Sequence, residues 1–302
     1  MVLKITSPKV KTLLVPLILL LFLVPDTTKA QTRVYANSAT FSPNFTSIIP
    51  PLNVPTVVNP ANAYDPAGTN NNLATFANVK ASPGLAVGLG SYSGYIELQF
   101  PTTLPANTTS YVKIGNVNND LFSALLGGSL GDLLGGVLGA VVFGSQEFSV
   151  QAKDVNTVRL TGDSAIAGSF ATSRMRIIQN AAGEYFVMLT PDQQYNRIRI
   201  TNRSGALLGI GSETELYVYG AFYVSNPANC GQPVYTSYSG SGATLTVALL
   251  QAGDGVANPQ RAIDADQTNF STLSMGALGV AGTIEQTVYF EGPSLASDSF
   301  TV

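Results

Sequence analysis

The sequence predicts an all-β chain: an antiparallel jelly-roll or β-sandwich module over residues 31–224, then the N-terminal part of a second copy over 234–302. Three observations predict it. Short segments rich in Val, Ile, Tyr, Phe and Thr recur between turns of Gly, Asn, Asp and Pro. Outside the N-terminus no long stretch carries a 3.6-residue apolar period. One word is also written twice: Val57-Val58-Asn59-Pro60-Ala61-Asn62-Ala63-Tyr64-Asp65 returns as Val256-Ala257-Asn258-Pro259-Gln260-Arg261-Ala262-Ile263-Asp264.

The echo keeps its order along the chain. Val34-Tyr35 answers Val234-Tyr235, Ala74-Thr75-Phe76 answers Ser271-Thr272-Leu273, and Glu97-Leu98-Gln99-Phe100 answers Thr287-Val288-Tyr289-Phe290. The offset changes only at polar or Gly-rich loops, which absorb insertions at small cost. Two units of one kind are expected, joined by a linker at 225–233. The second stops opposite Lys113 of the first, so the chain reads as a fragment of a longer repeat protein. A half sandwich leaves open sheet edges, and poor order is expected after about residue 233.

Residues 1–30 read as a secretory signal peptide. Lys4, Lys9 and Lys11 precede the apolar run Thr12 to Val24, and Thr28-Lys29-Ala30 is a small-x-Ala cleavage site. The run is broken by Pro16 and falls short of a spanning helix. Export to the cell surface or medium follows, with no membrane span once the signal is removed. Of 15 Lys plus Arg and 18 Asp plus Glu, four lysines and Asp26 lie in the leader, which leaves 11 against 17 and a formal charge of −6. Without a basic cluster, nucleic acid is excluded as a partner. Cys230 is the only cysteine and sits in the linker, so an intrachain disulfide is impossible.

Along the module, strands are expected at Tyr95 to Phe100, Ser110 to Gly115, Glu147 to Ala152, Thr157 to Leu160, Arg174 to Gln179, Glu184 to Leu189, Tyr195 to Thr201 and Glu215 to Tyr223. Pro101 and Pro105-Ala106-Asn107 mark turns. Tyr195 to Ile200 alternates most cleanly, with Ile198 and Ile200 inward and Arg197 and Arg199 outward. Residues 121–144 are rich in Leu and Gly. The glycines and Asp132 weaken a membrane helix, so an apolar hairpin or short helical insert packed on the domain is expected.

There is no histidine, which removes Ser-His and Cys-His pairs and the commonest zinc ligand. A lone cysteine rules out a thiolate zinc cage. Two carboxylates suffice for a glycosidase, but the acidic residues are scattered, and Glu213 and Glu215 read as edge polarity; no enzymatic constellation is assembled. No cofactor is indicated by the composition, with Ca²⁺ the one candidate. The repeated Asp admits two readings: Asp65, or Asp264 with Asp266, holds Ca²⁺ with loop carbonyls, or it closes an Asx-type turn. Asp192 and Arg197 are expected to clamp a loop. Tyr35, Tyr64, Phe76, Tyr92 and Tyr95 cluster near loops, and of these Tyr64, Tyr92 and Tyr95 are the candidate ligand contacts.

Asn-Ala-Tyr-Asp…Ala-Thr-Phe, its echo Ala-Ile-Asp-Ala-Asp…Phe-Ser-Thr-Leu, and Tyr195-Asn196-Arg197-Ile198 resemble galactose-binding-like jelly rolls of the discoidin kind. Pro66 and Ala265 stand where that family has Gly, and no Trp follows the Thr. Asn258 to Asp266, Ser271 to Leu273 and Gly279 to Thr287 also resemble the long secreted repeat proteins of gliding bacteria. The resemblance implies a non-catalytic exported module for adhesion or polysaccharide binding, with an extracellular glycan or cell-surface component as partner. The alternatives are a structural spacer or stalk, and an accessory module of a carbohydrate-active enzyme.

Overall fold

A computed structural model describes residues 32–48, 51–65, 73–84, 89–117, 119–127, 146–205, 212–225, 232–241, 255–274 and 283–292. In chain order its strands are β1 (Thr32–Tyr35), β2 (Ser38–Phe41), β3 (Phe45–Ile48), β4 (Pro51–Val54), β5 (Val57–Val58), β6 (Ala77–Ser82), β7 (Tyr92–Leu104) and β8 (Ser110–Gly115). A short helix, α1 (Asp120–Leu126), comes next. There follow β9 (Gln146–Asp154), β10 (Thr157–Asp163), β11 (Met175–Asn180), β12 (Tyr185–Leu189), β13 (Tyr195–Ser204), β14 (Thr214–Ser225), β15 (Tyr235–Ser241), β16 (Gly255–Ala257), β17 (Thr272–Ser274) and β18 (Thr283–Tyr289).

The strands pair antiparallel in two packed layers. The first layer runs β10-β9-β13-β7-β2. The second runs from β6 through β14, β8, β12, β11 and β15 to β18, with β5 beside β6 and β1 beside the far half of β14. The layers meet where β7 leaves β6, at Ala81↔Ser93 and Ser82↔Tyr92. This is the all-β sandwich that the alternating segments predict.

Period-2 alternation explains the core. Ile96, Leu98 and Phe100 of β7 join Phe148 and Val150 of β9 and Ile198 and Ile200 of β13, all packed against Val79, Val112, Val187, Leu216 and Val218 of the other layer. Arg197 and Arg199 point outward, as the alternation requires. Asn202 is a polar exception: it is fully buried, and its amide donates to the Val79 carbonyl (2.9 Å) and the Thr214 carbonyl (3.0 Å), while Gln146 donates to it (3.2 Å). One side chain of the first layer thereby satisfies backbone of the second. Gly94 marks a close backbone approach, since a Cβ there would lie 2.5 Å from the Thr56 carbonyl and 2.6 Å from that of Lys80.

Two local expectations change. Pro101 does not end its strand: β7 runs on to Leu104, because β2 stops opposite Gln99 and the missing proline N–H breaks no ladder there. Arg197 is not clamped to Asp192 but reaches Glu97, 3.3 Å away on β7. Of the Leu/Gly-rich insert, α1 buries Leu121, Phe122, Leu125 and Leu126 in the core. The rest of it, at 128–145, lies outside the described residues, as do the signal peptide and Cys230.

The two copies of the repeated word have the same local backbone. Asn59 (φ 52°, ψ 49°) and Asn258 (φ 53°, ψ 52°) are both left-handed, and each opens a 3-10 turn, Pro60–Ala63 and Pro259–Ala262. Asn tolerates that region better than most residues. The strands after each word are offset from the sequence match. Val58 faces Asn78, whereas Ala257 faces Thr272, so Thr272 stands where Asn78 does rather than where Thr75 does.

Beyond residues 225–233, β15 joins the second layer through Gln179↔Thr236 and Asn180↔Tyr235, and β18 pairs with it from Tyr289 to Thr283. Tyr238 packs on the main core. Tyr235 turns to the opposite face, into a second cluster with Tyr111, Ile178, Phe186, Met188 and Phe222. Arg33 seals its margin, 2.8 Å from Glu291 and over the Phe222 ring at 4.6 Å.

Candidate functional site

The outer face of the second layer divides in two. One half is the apolar cluster covered by Tyr235. The other, on β6, β14 and β8, stays half-open and carries aromatic rings interleaved with ion pairs. Alternation on β14 sends Leu216 and Val218 inward and Glu215, Tyr217 and Tyr219 outward. Phe76, just before β6, stacks on Tyr217 (centroids 4.2 Å, interplanar 24°) and meets Tyr219 edge-on at 5.3 Å.

Charged groups hold both ends of this strip. The Lys113 ammonium lies 4.5 Å over the Tyr219 ring and donates to Glu184 (2.7 Å) and to the Leu73 carbonyl (2.7 Å). Lys80 lies 2.7 Å from Glu213 and 3.8 Å from Glu215, and the Tyr217 hydroxyl donates to Glu215 at 2.9 Å. The Tyr92 hydroxyl donates to Glu213, and its ring stacks on Phe45 at 5.1 Å. Burial, then the bond to Glu213, pushes the Tyr92 phenol well up. The bond to Glu213 outweighs burial and raises Lys80. Near neutral pH the phenols are therefore neutral donors and the lysine stays charged. Half-open aromatic faces beside fixed donors and acceptors suit a flat ligand whose faces are apolar and whose edges carry hydroxyls.

The three sequence-chosen tyrosines do not come together. Tyr92 belongs to the strip. Tyr95, three residues on, lies where β7 pairs with β13 (Thr201↔Tyr95) and faces out of the other layer, under the Arg199 guanidinium at 4.2 Å. Tyr64 caps the first 3-10 turn and packs on the main core. Sequence reading does not single out Tyr217 and Tyr219, which line this strip, and treats Glu213 and Glu215 as edge polarity. The available signal was the Glu-Leu-Tyr-Val-Tyr alternation of 215–219, which places three polar or aromatic groups on one outer face.

The acidic residues of the repeated word sit in turns. The Asp65 N–H donates to the Ala36 carbonyl at 3.0 Å, and the loop at 66–72 lies outside the described residues. Asp264 accepts from the Asp266 N–H (3.0 Å), and Asp266 accepts from the Thr268 N–H (2.9 Å) and hydroxyl (2.6 Å). Asn269 donates to both carboxylates, at 2.9 and 3.3 Å. The Thr268 bonds, first among the causes, hold the Asp266 carboxyl below its ordinary range. The Asp264 and Asp266 carboxylates thus each close an Asx-type turn. Among the described residues, no three Cys, Asp or Glu side chains converge as a metal cage, and no helix is long and apolar enough to cross a membrane.

No protein-family model matches the chain, and no curated protein matches it. Among solved structures it is similar to a truncated AlyQ with CBM32 and alginate lyase domains, with 13% sequence identity and a TM-score of 0.29. That match covers 68% of this chain and 37% of the other, so the chain spans a little over a third of that structure's length.

Proposed function

We propose that this chain is a non-catalytic glycan-binding module of an exported surface protein, acting in adhesion or polysaccharide capture. The observation that carries the reading is the Phe76–Tyr217–Tyr219 strip, with Tyr92, Lys80, Lys113 and three carboxylates at its ends. Pyranose rings present apolar faces to aromatic side chains and hydroxyls to charged and amide groups, the chemistry this strip displays. Titration of the protein against a panel of neutral oligosaccharides tests it. Tyr217→Ala or Phe76→Ala is expected to weaken binding about tenfold or more, the range of a buried aromatic anchor. A folded wild type that binds no glycan in the panel, or variants that bind as tightly as wild type, overturns it.

The tandem arrangement belongs to the same proposal: two cognate units, at 31–224 and 234–302, joined at 225–233. The matching backbones of Asn59 and Asn258 support it. The second reading, a spacer in which units stack stiffly, draws on the continuation of the second layer from β11 into β15 and β18. Small-angle scattering separates the two roles. A rod-like tandem with no glycan affinity favours the spacer.

A further inference from the structure

The other outer face of the sandwich, across β7, β13 and β9, carries a charge imbalance that neither the strip nor the core explains. Register sets Glu97 opposite Arg199 and Gln99 opposite Arg197. On the far side of β13, Lys153 lies opposite Arg197 and Gln151 opposite Arg199. Three cations therefore converge on one carboxylate. Lys153 is 2.6 Å from Glu97, Arg199 Nε is 2.7 Å away, and Arg197 Nη1 is 3.3 Å away. The Glu97 and Lys153 side chains are only 3% and 7% exposed, while Arg197 and Arg199 lie above them at 25% and 31%.

The other cations of this face are matched. Arg203 has both Asp163 (2.6 Å) and Glu147 (3.4 Å), and Arg159 has Asp154 (3.0 Å). The surplus of two positive charges is confined to the centre, in a chain whose formal net charge is −3. Burial raises Glu97, but the bonds from Lys153 and Arg199 outweigh it and hold the carboxyl below its ordinary range, so Glu97 is ionised and already fully engaged. Arg197 Nε is buried with no hydrogen-bond partner among the described residues. Surplus charge at low solvent exposure is costly unless something compensates it.

We propose that this face is an anion-binding site, built to take the carboxylate or sulfate group of an acidic glycan on the outward edges of Arg197 and Arg199. Guanidinium groups recognise planar oxyanions through paired N–H donors. Gln99 and Gln151 flank them with amides for neighbouring hydroxyls, and the Tyr95 ring beneath Arg199 fixes that guanidinium from the other side. The site is independent of the aromatic strip, on the opposite outer surface, and different substitutions test the two.

The probes are polygalacturonate, dextran sulfate and neutral dextran, titrated calorimetrically against the whole chain at low and at near-physiological ionic strength. Binding of one or both polyanions is expected, weaker with added salt, whereas any dextran binding, at the aromatic strip, should be independent of salt and of Arg197 and Arg199. A preference for one polyanion tells carboxylate from sulfate. Arg197→Gln and Arg199→Gln should each lower affinity about tenfold or more, the worth of a charge-assisted hydrogen bond. Arg261→Gln, which removes an exposed positive charge elsewhere, should leave it within about twofold. If Arg199→Gln fails to fold, Arg199→Lys keeps the charge beside Glu97 and loses the fork, and should still weaken binding. A folded wild type that binds neither polyanion at low ionic strength overturns the proposal, as does dextran binding that Arg197→Gln and Arg199→Gln weaken as much as they weaken polyanion binding. So do folded Arg197 and Arg199 variants that bind as wild type, or Arg261→Gln weakening binding as much as they do.

Discussion

Tyr235→Ala is the substitution that most directly tests how residues beyond 233 belong to the fold. Tyr235 is 2% exposed, stacks on Tyr111 at 5.1 Å and packs on Phe186 at 5.2 Å. Truncating a fully buried aromatic ring costs about 3–5 kcal/mol, a sum of lost transfer energy and the cavity left behind. The hydroxyl adds little, since its bond to Glu291 is long at 3.4 Å; Tyr235→Phe should therefore cost less than about 1 kcal/mol. At roughly 3 °C per kcal/mol for a module of this size, Tyr235→Ala should lower Tm by about 10 °C. Val288→Ala on β18, at a side chain 38% exposed, should stay within about 1 kcal/mol. Thermal melts followed by circular dichroism, with reversible urea titration for the free energies, provide the readout. A Tm drop for Tyr235→Ala no larger than that for Tyr235→Phe would refute the reasoning, because it would mean that β15 does not cover the Tyr111–Phe186–Phe222 face in solution.

Other predictions follow from the polar groups. Because the folded-state pKa of Glu97 is depressed, its stabilisation is present above the ordinary carboxylate pKa of 4.5 and is lost as pH falls through the depressed value. Glu97→Gln, which leaves three cations without their carboxylate, should cost about 3–5 kcal/mol near neutral pH and flatten the acid limb of a Tm-versus-pH curve. Burial pushes the Tyr111 phenol up to about 12, so stability present below pH 10 should be lost as pH rises from there through about 12, as absorbance titration beside thermal melts would show. Asn202→Ala strips partners from the Val79 and Thr214 carbonyls between the layers and should cost about 3 kcal/mol by chemical denaturation. Asn59→Ala forces a Cβ-bearing residue without a polar tip into the left-handed region and should cost about 1 kcal/mol, whereas Asn59→Gly should be nearly neutral in the same assay.

The strand pattern was legible because it depends on local alternation. Ser110 to Gly115 is the expected strand to the residue, and Ile198 and Ile200 face inward with Arg197 and Arg199 outward. The repetition of the Asn-Pro word was legible too, since it is written in residue identity, but the left-handed backbone of Asn59 and Asn258 was not, because Pro biases the residue before it toward extended backbone. The candidate sites were much less so. Tyr92 and Tyr95 are neighbours in sequence, yet β7 passes from one layer to the other between them, so they open onto different surfaces.

What the sequence determined alone is therefore what short-range physics fixes: the β class, most strand positions, which side of each strand is apolar, and the repetition of the Asn-Pro word. Only the tertiary structure decided which strands become neighbours. That choice brought Glu97 under Arg197, Arg199 and Lys153 from two other strands, aligned Phe76 with Tyr217 and Tyr219, and laid Tyr235 over an apolar face that nothing nearby in sequence covers. Strand pairing joins residues separated by up to hundreds of positions, and the closure cost grows only slowly with that separation, so chain distance says little about which side chains will share a surface.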